Sequence, residues 1–262
     1  MSTLYNALLE TAQICGVTFA GKSTAAGTTT TLIDTTRYEN DSYYLNGTLF
    51  IQSGTYINTS KRITGYANTT GTITFTPACA GAVPADVYYS VSNANREALV
   101  QAINQALLFM GEYTTLDETL TVTDNATEYT LPTGVSNVKR IETYTTSSAP
   151  YGFNPITTWR EMGGKIYLPC ELAYTAGLKL RIYYNKFHDH VHADTDTIND
   201  NYNLKRLAWT AAFHYYLNKM QYSGNSDERE NILLTIAQQQ AERLRVSFPV
   251  NHIERDPILA RW

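Results

Sequence analysis

The chain has 262 residues, 43% of them hydrophobic and only 17% charged, with a formal net charge of -4. Such a length and apolar content support a substantial buried core, which excludes a disordered tail or linker. The acidic balance excludes a nucleic-acid binder that works by neutralising phosphates, since that mode needs clustered Lys and Arg.

Leu4, Ala7, Leu8, Thr11 or Ala12, and Cys15 fall at helical spacing, and Gly16 stands where a helix commonly ends, so a first helix is expected over residues 2–15. No basic flank and long apolar run mark a signal peptide, and no stretch reaches the ~18 apolar residues of a membrane span, so neither export nor membrane association is expected. After the small-residue stretch "AGKSTAAGTTT" the period changes to two. "TTTTLIDTTRY", "GTLFIQSG", "KRITGYANTTGTITFTP" and "DVYYSV" read as about five strands between turn-formers.

Helix returns at "NANREALVQAINQALLFMGEY", capped by Asn93 or Asn95, with Leu99, Ile103, Ala106, Leu107 and Met110 as its apolar stripe and Gly111 at its end. Strands resume in "ETLTVTDNATEYTLP", "NVKRIETYTT", "WREMGGKIYLP", turning on Gly163-Gly164, and "LKLRIYYNK". Two helices follow in "NLKRLAWTAAFHYYLNKMQ" and "SDERENILLTIAQQQAERLRVSF", the second capped by Ser226, and form a hairpin. The closing "PVNHIERDPILARW" has neither period and carries Ile253, Ile258, Leu259 and Trp262, so it is expected to dock on another surface. The fold class expected is α+β. It comprises a helical core of about four helices (1–27, 92–117 and 197–248), an inserted β-module (28–91, a small five-stranded sheet or barrel), a β-arm sheet with its linker (118–196) and an extended tail (249–262).

Three stretches invite chemistry. "GVTFAGKS" matches a phosphate-binding loop letter for letter at Gly16, Gly21, Lys22 and Ser23. Such a loop needs a strand before it and a helix starting at the Lys-Ser, so that backbone N–H groups point at phosphate. Here a helix precedes and β-like sequence follows, so the expectation is a Gly-capped helix end and a flexible link with no nucleotide bound. "HDHVHADTD" would put His188, His190 and His192 on one face of a strand, with Asp194 and Asp196 nearby. Neighbours at i and i+2 lie about 7 Å apart, too far for all three to reach one ion, so a polar linker is expected and no metal. Cys15, Cys79 and Cys170 stand far apart in no metal spacing and are expected as reduced thiols. No Ser, Cys or carboxylate stands in a catalytic context, so no enzyme activity and no cofactor are expected. Tyrosine, with 20 copies, suits strands and interfaces, and in a second reading stacks on sugar rings of a receptor.

The order of parts resembles the head-to-tail connector (adaptor, or neck) proteins of tailed bacteriophages, which form the ring beneath the portal. The resemblance rests on the N-terminal helix, "REALVQAINQALLFMG", "TEYTLPTGVSNVKRIE", "LKLRIYYNKFHDHVHADTDTI", "RLAWTAAFHYYL", "DERENILLTIAQQQAERLR" and the tail ending "PILARW". It implies a virion structural protein, assembled in the host cytoplasm into a ring of about twelve subunits with helices side by side. DNA passes through that ring without tight binding, which suits the net acidity. The resemblance further implies a tail-side neck partner below and a portal protein above, reached by the C-terminal segment. Pro249, Ile253, Arg255, Pro257, Ile258, Leu259, Arg261 and Trp262 would be the docking residues. A tail-associated, carbohydrate-binding or receptor-binding β-module protein is the alternative.

Overall fold

The computed structural model describes residues 2–16, 18–123, 126–144, 154–168, 177–223 and 228–250. In chain order the elements are β1 (Ser2–Thr3), α1 (Leu4–Cys15), β2 (Thr18–Lys22), β3 (Thr31–Ile33), β4 (Thr48–Ile51), β5 (Thr59–Ala67), β6 (Thr72–Thr76), β7 (Tyr88–Ser92) and α2 (Arg96–Met110). There follow β8 (Tyr113–Asp117), β9 (Glu128–Thr130), β10 (Val138–Tyr144), β11 (Asn154–Ile156), β12 (Arg160–Met162), β13 (Lys165–Tyr167) and β14 (Lys179–Lys186). Last come β15 (Thr197–Ile198), α3 (Leu204–Ser223) and α4 (Glu228–Ser247). The chain divides into two compact units. One is made of Met1–Met110 and Asp189–Pro249, and the other is built on Gly111–His188.

The first unit pairs a helical layer with an antiparallel sheet of six strands in the order β2-β7-β4-β5-β6-β3. Alternation along the strands sends Leu49, Ile51, Ile63, Phe75, Tyr89 and Val91 to one side, where they form a closed apolar core. The chain leaving β2 bends onto the far edge: Ala25 bridges Ile33, and the Thr24 N–H donates to the Ile33 carbonyl at 2.9 Å. The two edge strands are thereby drawn together, which leaves fewer backbone groups unpaired at the sheet margins. The helices pack on α3, which touches α1, α2 and α4. Leu207, Ala208, Ala211 and Ala212 are its buried stripe, small enough for close helix approach.

The second unit holds a four-stranded sheet, β11-β10-β14-β8, and a three-stranded sheet, β12-β13-β9. Val138, Ile141, Ile166, Leu180 and Ile182 lie in its core. The β12–β13 hairpin turns on Gly163 and Gly164, with φ of 61° and 73°. A two-residue hairpin turn with positive φ at both positions is one that glycine reaches without strain.

The expectation of a helical core bearing two β inserts is therefore corrected. The protein is a mixed α/β structure with four helices among the described residues and antiparallel sheets of six, four, three and two strands. The reason is the pairing of segments that carry little period of their own. The stretch expected as a flexible link is β2, paired with β7 from Thr18↔Ser92 to Lys22↔Tyr88. Ser2–Thr3 pairs with Thr197–Ile198. Each partner lies far away in sequence, so each strand is stabilised by a tertiary contact that a local pattern does not report.

Candidate functional site

The phosphate-loop letters occupy a helix exit and an edge strand. The Gly16 N–H donates to the Ala12 carbonyl at 3.0 Å, closing α1, and its φ of -148° is ordinary extended backbone. Gly21 lies inside β2, where an added Cβ would sit 2.7 Å from the Tyr89 ring and 2.9 Å from the Arg37 guanidinium. Glycine there allows close passage of those two side chains. The Lys22 ammonium pairs with Asp86 at 2.6 Å, both in solvent. Ser23 is buried: its hydroxyl accepts from the Val87 N–H at 2.8 Å and donates to the Pro84 carbonyl at 3.2 Å. The helix precedes the motif and a strand carries it, so no helix N-terminus faces the Lys-Ser pair.

Tyr89 and Arg37 belong to a polar knot inside the same unit. The Tyr89 hydroxyl donates to Asp34 at 2.6 Å and accepts from Arg37 Nε at 2.9 Å. Arg37 Nη1 donates to Glu39 and to the Tyr44 hydroxyl, each at 3.2 Å, and Nη2 donates to the Phe19 carbonyl at 3.3 Å. Burial works against the Asp34 charge, but donors from Thr36 and Tyr89 and the Arg37 cation outweigh it and hold its carboxyl below the usual range. These carboxylates are committed to one cation and its tyrosines, which fastens the 34–44 segment to the sheet.

The histidine-rich segment forms a different buckle. Asp194 accepts from the Ser60 N–H at 2.5 Å, the Ser60 hydroxyl at 2.6 Å and Arg96 at 2.9 Å. Its carbonyl and that of Asp196 accept from the N–H groups of Tyr5 at 3.1 Å and Leu4 at 2.8 Å. Those are orphan donors of the first turn of α1, left uncapped by the Thr3 side chain. Asp196 turns back to accept from the N–H groups of His192 and Ala193, and these bonds hold its carboxyl low. Residues 192–196 thus bind the start of α1, the strand β5 and the start of α2 together. The rings of His190 and His192 stack at 6.1 Å, whereas His188 lies beside Tyr113 in the second unit. Among the described residues no group of three potential ligands surrounds a metal position.

His190 and His192 form one wall of a groove of about 630 Å³ whose floor is α2. Glu97, Val100, Gln101, Asn104 and Leu108 line it, and Asn104 fixes the wall by bonding both ways with the Val191 backbone at 2.9 Å. Leu108 is 63% exposed and Phe109 beside it 66%, an apolar end to an otherwise polar face. A second open surface is α4. Leu233, Leu234 and Ala237 meet α3, yet Ile232, Ile236 and Val246 are 53%, 41% and 77% exposed away from that stripe. A helix with apolar residues both against α3 and open to solvent has room for a second partner besides α3.

Sequence reasoning reached the apolar stripes but not the outward one on α4, although Ile232 and Ile236 stand at i and i+4. It also missed Arg96, Ser60 and Arg37, which carry no local signal. Of the expected docking residues, Pro249 is exposed directly after α4, while Ile253, Arg255, Pro257, Ile258, Leu259, Arg261 and Trp262 lie outside the described residues, as does Cys170.

Against known proteins, the chain matches no family model, and no curated protein is similar to it.

Proposed function

We propose that the chain is a non-enzymatic head-to-tail connector of a tailed bacteriophage, working in a ring below the portal that joins capsid to tail and surrounds the DNA passage. The observation that carries this reading is α4. It is a twenty-residue helix in which Ala237 is the buried residue and apolar side chains also face outward. A lone monomer gains nothing from such a face, whereas a subunit packed between neighbours covers it. The Pro249–Trp262 segment that follows has apolar anchors interleaved with Arg255, Arg261, Glu254 and Asp256, suited to a groove on a larger partner, here the portal.

Deleting residues 250–262 is expected to leave a folded chain, with unchanged circular dichroism and melting, that no longer enters particles. Tailed, infectious virions carrying the truncated chain would overturn the docking role.

The alternative of a receptor-binding β-module is favoured by Tyr38, 85% exposed on the first unit's sheet segment, with Tyr43 and Tyr88 also open to solvent. Exposed tyrosines stack on sugar faces as well as on protein. Glycan binding is best tested on the full chain, because β2, outside residues 28–91, completes the six-stranded sheet. Saturable glycan binding lost in Tyr38→Ala would favour this second reading.

A further inference from the structure

We infer that the outward stripe of α4 seats in the α2 groove of a second copy of this chain, antiparallel and in one register. This rests on the ring reading above and names the surfaces by which its subunits meet.

The two helices are complementary position by position. Along α4, Ile232, Ile236, Gln239 and Arg243 lie on one exposed face at helical spacing. Along α2, Leu108, Asn104, Gln101 and Glu97 line the groove at the mirrored spacing. Laid antiparallel, Ile232 meets Leu108, Ile236 enters beside Asn104 and Val100, Gln239 faces Gln101, and Arg243 faces Glu97. Both runs cover the same number of helical steps, about 16 Å of axis, so the match holds from end to end. The apolar contact lies at one end and the opposite charges at the other, which fixes direction as well as register. Glu97 is exposed and has no ion pair among the described residues, so the pairing frees it from no earlier partner.

The occupant is a second copy rather than the chain's own α4, because within one unit both helices pack on α3. The two surfaces differ, so the contact is head-to-tail. Each copy offers a stripe to one neighbour and a groove to another, and repetition gives a ring or a filament rather than a closed dimer.

The test is disulfide trapping of the full-length chain at the central pair, Gln101→Cys with Gln239→Cys, over a concentration series with the unmodified chain as baseline. The doubly substituted chain is expected to give a ladder of trimers and larger species. Each single variant should stay at baseline, and an equal mixture of the two should stop at dimers. Adding Ile236→Glu, an exposed position whose change leaves the fold intact, should remove the ladder. Absence of any species above baseline at every concentration would overturn the inference, and so would dimers from Gln239→Cys alone, which would mean α4 pairing with α4. The connector reading fails separately: a ladder formed by a chain that tailed particles assemble without would keep the interface and reject the function.

Discussion

Asp194 shows how one side chain holds distant parts together. Its carboxylate receives the Ser60 N–H and hydroxyl and the Arg96 guanidinium, with both ionic side chains largely buried at 13% and 18% exposure. Asp194→Ala would leave Arg96 and the Ser60 amide without that partner, an expected loss of about 2–4 kcal/mol of unfolding free energy by denaturant titration. A loss under about 0.5 kcal/mol would mean that the buckle is ornamental. His214 offers a pH test. Its ring lies edge-on to Phe109 and Phe213, Nε2 is buried with no hydrogen-bond partner among the described residues, and burial lowers its basicity. Because the folded pKa lies below the unfolded value, the unfolded chain binds the proton first as pH falls. The contribution is whole above about pH 7 and is lost on descending through about pH 6.5 toward the folded value. Stability should therefore drop between about pH 7.5 and pH 5.5, and His214→Leu should flatten that part of the profile. An identical slope in the variant would assign the loss to another group.

At the scale of elements, α2 begins with a side-chain cap. Asn95 Oδ1 accepts from the Ala98 N–H at 3.1 Å, so Asn95→Ala should cost about 1 kcal/mol in an unfolding titration. No measurable change would show that Asn95 is not the working cap. This cap, the helical stripes and the Gly163-Gly164 turn were legible because each arises among residues a few positions apart. The strand β2 was not. Its sequence, Thr-Phe-Ala-Gly-Lys, has a glycine and no clean alternation, and what makes it a strand is β7, about seventy residues on. The same distance hid the Asp194–Arg96 pair, whose members are 98 residues apart. The structural reason for Gly21 was hidden in the same way: it answers to Tyr89 and Arg37, neighbours that only the folded sheet supplies. A Lys22→Ala variant should accordingly keep its melting temperature and show the same null result in ATP–magnesium dialysis as the parent chain. Lys22-dependent nucleotide binding would contradict this.

For the whole molecule, the sequence indicated helices, strands and a net negative charge, but understated how much of the chain is sheet. Composition could not reveal which surfaces stay open after folding, since the same isoleucines that fill a core also form the outer stripe of α4. Exposure, not identity, separates the two uses. On the connector proposal, the open stripe, the groove on α2 and the segment after Pro249 are the surfaces that assembly with other chains would cover. Electron microscopy of particles made when the genome encoding this chain carries an early stop in its reading frame tests that description most directly. If the connector proposal holds, DNA-containing capsids without tails are expected, with tails restored when the intact chain is supplied in trans; complete tailed particles formed without the chain would contradict it.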